Sequence, residues 1–297
     1  MLFEALEYFH NSSRCPKYLK DFGQLSEIIA IKARAKRCYK SWENHLNNSK
    51  AFINMHLDLN PNIYGSSSIL IFGAGMCNDL DLYYLGDNFD KVILLDLFFL
   101  KSTREALSKY NNVFFCELDI SNSMEKIHQL ATHYKDNYPK FLSVLKQFSE
   151  KNKLTNSLKE HSVFNLIKNN ETNNVVSLNL LSQIPLAYES FFEKTLKKDY
   201  REEDCAFFYK YLIKEHLHLL TLIKKMNKNV LLLTDIQKYV SDSSGKEKDK
   251  ESSLHGINLV QHLGKIDLKE KWYWDLAPVG EINNSYAMKL LINAIKL

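Results

Sequence analysis

The chain has 297 residues, of which 45% are hydrophobic and 25% are charged, as in an ordinary folded protein. Its formal net charge of +4 is too small to indicate a nucleic-acid-binding surface, so the charge argues against nucleic acid as a partner. No apolar run reaches about 18 residues, and the first residues do not have the pattern of a secretory signal. We therefore expect a cytoplasmic protein with no membrane partner, and the oligomeric state stays open.

The cysteines also exclude some classes of protein. There are five of them, an odd number, and no two have the spacing of a CxxC motif. This pattern indicates reduced thiols rather than a disulfide framework or a zinc site. His216 and His218 lie two residues apart and would point to different faces of a helix, which argues against metal ligation. We expect no metal.

Residues 1–60 are predicted to be helical. An apolar stripe recurs at helical spacing from Leu25 to Leu46, and only Lys32 interrupts it. A second stripe lies on one helix face and contains Arg34, Arg37, Ser41 and His45. Pro61 and a Gly-Ser segment end this region, which predicts a helical cap over residues 1–62 and a main domain over residues 63–297.

Short apolar runs follow the cap. They are mostly continuous rather than alternating, as expected for strands that are buried on both faces of a parallel sheet. These runs are Ile69–Phe72, Val92–Leu95, Val113–Cys116, Val175–Leu178 and Val230–Leu233. Helical segments separate them, roughly at 78–86, 101–110, 122–150 and 186–227. The alternation predicts an α/β fold with a doubly wound, mostly parallel sheet and helices on both faces.

The connections and the C-terminal part add further predictions. The segments at about 121–174 and 186–227 are longer than a plain βαβ unit requires, so we expect helical insertions there. Residues 241–254 are polar and charged, which predicts a solvated loop. Two later predictions are an antiparallel strand pair at Gly256–Leu263 and Lys271–Leu276 and an apolar helix at Ser285–Leu297.

The first predicted strand runs directly into Gly73-Ala74-Gly75. Glycines at this place permit a tight turn and let a ligand approach the backbone closely. The second strand ends in Asp96, 21 residues after Gly75, where an acid accepts hydrogen bonds from ribose hydroxyls. The third strand ends in Asp119, a further 23 residues on. The two acids indicate a ligand with a ribose and a base that donates hydrogen bonds.

The set Gly73-x-Gly75, Asp96 and Asp119 resembles the class I S-adenosylmethionine-dependent methyltransferases, which have a Rossmann-like fold. The resemblance implies that the glycine turn cradles the amino acid end of S-adenosylmethionine, that Asp96 holds the ribose and that Asp119 contacts the adenine amino group. S-adenosylhomocysteine would be the product. Cys77 stands at the third glycine position of the family's turn, which is a departure from the pattern.

The segment Asn179-Leu-Leu-Ser182-Gln183-Ile-Pro185 resembles the family's motif after the fourth strand, beside the transferred methyl group. In this form it is similar to a group of bacterial methyltransferase-like proteins whose substrate is not known, so the methyl acceptor stays open. The residues that the resemblance implies in cofactor binding are Phe72, Gly73, Ala74, Gly75, Asp96, Leu97, Asp119, Ile120 and Asn179.

Several residues are candidates for catalysis or substrate binding. His45 and Asp235 are the candidate general bases. The candidate substrate contacts are Arg34, Arg37, Ser182 and Gln183. Each has a structural alternative. Arg34, Arg37 and His45 could form a solvated basic helix face, Ser182 and Gln183 could form a turn after the fourth strand, and Asp235 could end the fifth strand. Trp272, Tyr273 and Trp274 are expected either to line the methyl site or to pack within a strand.

Two other functions compete with a methyltransferase. An NAD(P)-dependent oxidoreductase shares the glycine turn and the acid at Asp96, but its third glycine would fall on Asn78. A non-catalytic interaction protein with a methyltransferase fold would use the basic face near Arg34 or the polar segment 241–254. The residues together favour an S-adenosylmethionine-dependent methyltransferase.

Overall fold

The computed structural model describes residues 2–59, 67–152, 162–282 and 284–297. The chain begins with a helical extension formed by α1 (Leu2–Ser12), α2 (Lys17–Asp21), α3 (Gln24–Arg37) and α4 (Tyr39–His56). The predicted apolar stripe is not one continuous helix, because the backbone leaves the helical conformation at Cys38 with φ −97° and ψ 18°. Tyr39, which the stripe includes, is therefore exposed.

The five predicted strands form the parallel part of a sheet that has eight strands within the described residues. They are β1 (Ser68–Phe72), β2 (Lys91–Asp96), β3 (Val113–Glu117), β4 (Thr172–Leu178) and β5 (Asn229–Asp242). Their spatial order is β3-β2-β1-β4-β5, which is the order of a doubly wound α/β sheet. The order reverses between β1 and β4, and ligands of such sheets bind at the carboxyl ends of the strands beside this point.

The strands are connected by helices of very different length. Short helices α5 (Leu82–Asn88) and α6 (Lys101–Leu107) follow β1 and β2. The longer connections contain α7 (Met124–His133), α8 (Tyr138–Lys151), α9 (Ser162–Asn169), α10 (Gln183–Leu196), a 3-10 turn (Lys197–Asp199) and α11 (Glu202–Lys225). Within the described ranges, every helix is too short or too polar to cross a membrane.

Helices cover both faces of the sheet, as predicted. Alternate residues of β1 point to opposite faces, so that Leu70 and Phe72 belong to one apolar core and Ile69 and Ile71 to the other. The first core is covered mainly by α7, α8, α10 and α11, and the second by α4, α5 and α6. Because both faces are buried, the strand reads as a continuous apolar run.

The C-terminal antiparallel strand pair is present, but its residues differ from those predicted. The pair is β7 (Leu268–Ala277) and β8 (Tyr286–Lys296), and β8 also pairs antiparallel with β5. The predicted helix at Ser285–Leu297 is wrong, because this segment forms an interior strand whose two buried faces give a continuous apolar pattern. The predicted strand at Gly256–Leu263 is also wrong, since it contains the short helix α12 (Leu259–Leu263).

The polar segment 241–254 forms a hairpin rather than a loop. The strand β5 continues to Asp242, and β6 (Glu247–Ser252) returns along it with every side chain exposed. Ion pairs cross the hairpin, with Lys238 Nζ 2.5 Å from Glu251 Oε2 and Lys248 Nζ 3.0 Å from Asp242 Oδ2. Charged residues have low strand propensity, so the composition hid a strand that depends on pairing with β5.

Gly73 and Gly245 differ in how closely other atoms pack around them. At Gly73, where φ is +71°, a Cβ atom would lie 2.6 Å from the Leu178 carbonyl oxygen. At Gly245, where φ is +83°, a Cβ atom would meet nothing within 4 Å. Both alanine variants incur left-handed backbone strain, but only Gly73→Ala adds a steric clash with the backbone of β4.

We therefore expect Gly73→Ala to lower the free energy of unfolding by about 2 kcal/mol more than Gly245→Ala does. Urea denaturation followed by circular dichroism measures the difference. Equal losses for the two variants would contradict the close approach of the glycine turn to β4.

Candidate cofactor-binding site

The ends of the parallel strands bring most of the predicted cofactor residues to one edge of the sheet. Phe72 of β1 is in register with Leu95 of β2 and with Ser177 of β4, so the residues that follow these strands lie side by side. This places Gly73, Asp96 and Asn179 around the point where the strand order reverses.

The glycine turn is joined to the second strand by a carboxylate. Gly75 N donates to Asp96 Oδ2 at 2.7 Å, and Leu97 N donates to Asp96 Oδ1 at 2.7 Å. Burial raises the pKa of Asp96, and the two backbone donors oppose this rise. The turn is also fixed to β2 by Gly73 N, which donates to the Leu95 carbonyl oxygen at 2.9 Å. The structure thus joins the predicted glycine turn to the acid that is predicted to hold a ribose.

Cys77 keeps the backbone conformation that the missing glycine would favour. Its φ is 62°, in the left-handed region that side chains other than glycine rarely adopt. Asn122 and Asn179, in the loops after β3 and β4, are also left-handed, with φ of 50° and 48°. Strained backbone of this kind collects at ligand-binding sites. Burial raises the pKa of the Cys77 thiol to about 12, so the thiol is protonated at neutral pH and is not a nucleophile.

Asp119 is occupied by its own loop. Its Oδ1 accepts from the backbone N and the hydroxyl of Ser121, at 2.9 and 2.6 Å. Its Oδ2 accepts from the backbone N of Ser123 and of Met124, both at 2.8 Å. A carboxylate has about four acceptor positions, and these four donors fill them. The structure therefore favours the capping of α7 as the role of Asp119, and its contact with adenine stays a prediction.

His45 lies in the interior, not on a solvated basic face. It is fully buried, and its ring stacks on that of Trp274 with centroids 4.1 Å apart and an interplanar angle of 5°. The indole Nε1 of Trp272 donates to His45 Nδ1 at 3.0 Å. His45 Nε2 lies 3.0 Å from Asp79 Oδ1 and 3.3 Å from the carboxamide nitrogen of Asn179. The structure therefore brings His45 next to the glycine turn and the loop after β4.

This geometry argues against His45 as a general base. A neutral imidazole has one donor nitrogen and one acceptor nitrogen, and the indole of Trp272 can only donate. Nδ1 is therefore the acceptor, and its lone pair is already used. Nε2 then carries the proton, so neither nitrogen is left to remove a proton from a substrate.

Asp235 lies within β5, just past its parallel pairing with β4, and forms a buried pair with Ser182, which follows β4. The Ser182 hydroxyl donates to Asp235 Oδ1, and both side chains are almost fully buried. Burial raises the pKa of Asp235, and the hydrogen bond from Ser182 opposes the rise. Gln183, the third polar residue of the predicted motif, begins α10 with its side chain exposed. The structure thus joins Ser182 to the candidate base and leaves Gln183 apart from the pair.

Arg34 and Arg37 bind a carboxylate of the same chain. Arg37 contacts Glu281 through two guanidinium nitrogens, with Nε 3.0 Å from Oε2 and Nη2 2.5 Å from Oε1. Arg34 Nε lies 3.6 Å from Glu281 Oε1. The hydrogen bond from Arg37 is the main cause that lowers the pKa of Glu281. Both arginines therefore join α3 to the segment before β8, and this argues against a grip on an anionic substrate.

Sequence reasoning missed the acids that follow the glycine turn. Asp79 contacts His45, and Asp81 caps α5 because its Oδ1 accepts from Tyr84 N at 3.1 Å. The signal was present as two carboxylates within six residues of Gly75. Of the aromatic triplet, Trp272 and Trp274 contact His45, whereas Tyr273 lies half exposed against Tyr239.

Comparisons with known proteins add little to this site. No family model matches the chain, and no curated protein sequence matches it. One solved structure, a DhpI-SAM-HEP complex, is similar over 93% of this chain and 98% of that chain, with 10% sequence identity and a TM-score of 0.35. A similarity at this level carries no argument, so conclusions about the site depend on its own residues.

Asp235 gives the site a testable pH dependence. Because burial raises its pKa above the ordinary value of an aspartate, the protonated carboxyl group favours the folded state at low pH, and this contribution is lost as pH rises through the raised pKa. We expect the free energy of unfolding of the wild type, relative to that of Asp235→Asn, to fall as pH rises from about 4 to the raised pKa of Asp235 and then to level off. Urea denaturation across the pH range measures this, with the exposed Asp249→Asn as control. A difference that is constant or rises with pH would contradict the assignment.

Proposed function

We propose that this protein binds S-adenosylmethionine at the carboxyl edge of its sheet and transfers the methyl group to an acceptor. The observation that carries the proposal is the Gly73-x-Gly75 turn, hydrogen-bonded to Asp96 where the strand order reverses. The two backbone donors use two of the about four acceptor positions of the Asp96 carboxylate, so it can also accept from the hydroxyls of a ribose.

The charges after the turn favour this cofactor over a dinucleotide. S-adenosylmethionine carries a sulfonium and an ammonium group, whereas NAD(P) carries an anionic pyrophosphate. A dinucleotide fold places the pyrophosphate at the N-terminus of the helix after the turn. Here Asp79 and Asp81 precede α5, and Asp81 occupies one of its N-terminal N–H groups. Two carboxylates repel a pyrophosphate and attract a cation.

The residues of the chain have distinct roles in this proposal. When bound, the cofactor supplies an electrophilic methyl carbon, activated by the adjacent sulfonium. Gly73 lets the turn approach β4, and Asp96 orients the ribose. Most of the acceleration of a methyl transfer comes from holding the acceptor in line, so positioning is the main task of the protein.

Proton removal falls to Asp235 in this proposal. An acceptor that is a hydroxyl or an ammonium must lose a proton, and a carboxylate can take it. Asp235 is buried next to Ser182 and its pKa is raised by that burial, which makes the carboxylate a stronger base than an exposed aspartate. His45 is not assigned this role, because its acceptor nitrogen is bonded to Trp272.

Isothermal titration calorimetry tests the proposal. S-adenosylhomocysteine is expected to bind the wild type, and NADH and NADPH are not. Asp96→Asn is expected to weaken the binding of S-adenosylhomocysteine by about tenfold or more, since a hydrogen bond to a charged acceptor is worth about 1.5–3 kcal/mol. Asp87→Asn, on the exposed surface of α5, changes the net charge in the same way and is expected to leave affinity unchanged. Binding of NADH without binding of S-adenosylhomocysteine would overturn the proposal.

A further inference from the structure

One buried histidine contacts three elements that surround the candidate site. His45 belongs to α4 and has no exposed surface. Its Nε2 faces Asp79, in the segment after the glycine turn, and Asn179, in the loop after β4. Its Nδ1 faces Trp272 of β7. We call the carboxyl ends of the parallel strands, with the loops that follow them, the cofactor edge. The His45 ring thus joins the N-terminal helices, the loops after β1 and β4 at the cofactor edge, and the C-terminal strands.

The indole of Trp272 fixes which nitrogen of His45 carries the proton. Because Nε1 of an indole is only a donor, His45 Nδ1 must be the acceptor of the 3.0 Å hydrogen bond. The proton is therefore on Nε2, which points at the two loops. In most buried histidines the partner of one nitrogen sets the role of the other in this way.

A protonated Nε2 requires an acceptor, and two side chains that contain oxygen lie next to it. Asp79 Oδ1 lies 3.0 Å away, within ion-pair distance, but it is a buried oxygen that makes no hydrogen bond. Asn179 presents its carboxamide at 3.3 Å, and its Oδ1 is a buried atom with no hydrogen-bond partner. With its oxygen turned toward Nε2, the Asn179 carboxamide accepts from His45.

We propose that His45 is a positioning residue that, held as its Nε2–H form by Trp272, donates to the Asn179 carboxamide while its ring lies 3.0 Å from the Asp79 carboxylate, and thereby fixes the loop after β4 relative to the segment after the glycine turn. Asn179 has a left-handed backbone, with φ of 48°, a conformation that asparagine adopts more readily than most residues. The hydrogen-bond arrangement stands on the geometry alone; its effect on ligand affinity rests on the proposed function.

Nitrogen NMR of histidine-labelled protein tests the arrangement directly. In the wild type, His45 is expected to show an unprotonated Nδ1 and a protonated Nε2. Trp272→Phe removes the donor and is expected to abolish this fixed form, giving a mixture of the two neutral forms. Trp42→Phe is the matched control, because Trp42 is also buried and its Nε1 donates a 2.9 Å hydrogen bond, but to the Leu276 carbonyl oxygen. It is expected to leave the His45 signals unchanged.

Ligand binding tests the consequence. Trp272→Phe is expected to weaken the binding of S-adenosylhomocysteine by about tenfold relative to Trp42→Phe, because the loops are no longer held in one arrangement. Equal affinities for the two variants, or a protonated Nδ1 in the wild type, would overturn the inference. If Trp272→Phe does not fold, the wild-type spectrum alone decides.

The two proposals fail in different ways. If the wild type does not bind S-adenosylhomocysteine but its His45 Nδ1 is unprotonated, the proposed function fails and the hydrogen-bond arrangement stands. If the wild type binds the ligand but Nδ1 carries the proton, the proposed function stands and the role assigned to His45 fails.

Discussion

The two oxygens of the Asp96 carboxylate accept from two backbone N–H groups, one in the turn after β1 and one directly after β2. Asp96 accepts from Gly75 and from Leu97 at equal distances of 2.7 Å, and this pair of bonds holds the turn after β1 against the end of β2. Burial removes water from the carboxylate and raises its pKa, and the two backbone donors oppose this rise and hold the carboxylate in place. The turn after β1 and the end of β2 are therefore fixed relative to each other.

The second constraint is the close packing of the turn against β4. Gly73 has no room for a side chain beside Leu178 and Leu180, so the chain passes directly from β1 into the turn and the loop after β4 lies against it. Asn179 then reaches His45, and Ser182 reaches Asp235. The helical extension is therefore in contact with the site through His45 of α4.

Most of the parallel half of the fold was predictable because β1, β2, β4 and the first part of β5 are buried on both faces and appear as continuous apolar runs, whereas the edge strand β3 is only partly buried. The same rule failed for the segment Ser285–Leu297, since a short apolar run does not distinguish an interior strand from a buried helix. The hairpin at 241–254 was missed for the opposite reason: its residues have low strand propensity, and only pairing with β5 makes them a strand.

The site was predictable where the chemistry is local and not where it depends on distant partners. Gly75 and Asp96 were identified from spacing, and they contact each other. The partners of Arg37 and His45 lie more than 200 residues away, at Glu281 and Trp272, so no local pattern could show that these side chains are already engaged.

The central claim is that the edge beside Asp96 holds the ribose of S-adenosylmethionine. A crystal structure of the protein with S-adenosylhomocysteine tests it most directly. The account predicts both ribose hydroxyls within about 3 Å of the Asp96 carboxylate oxygens, as for ordinary hydrogen bonds. A ligand bound elsewhere, or one whose ribose makes no contact with Asp96, would contradict it.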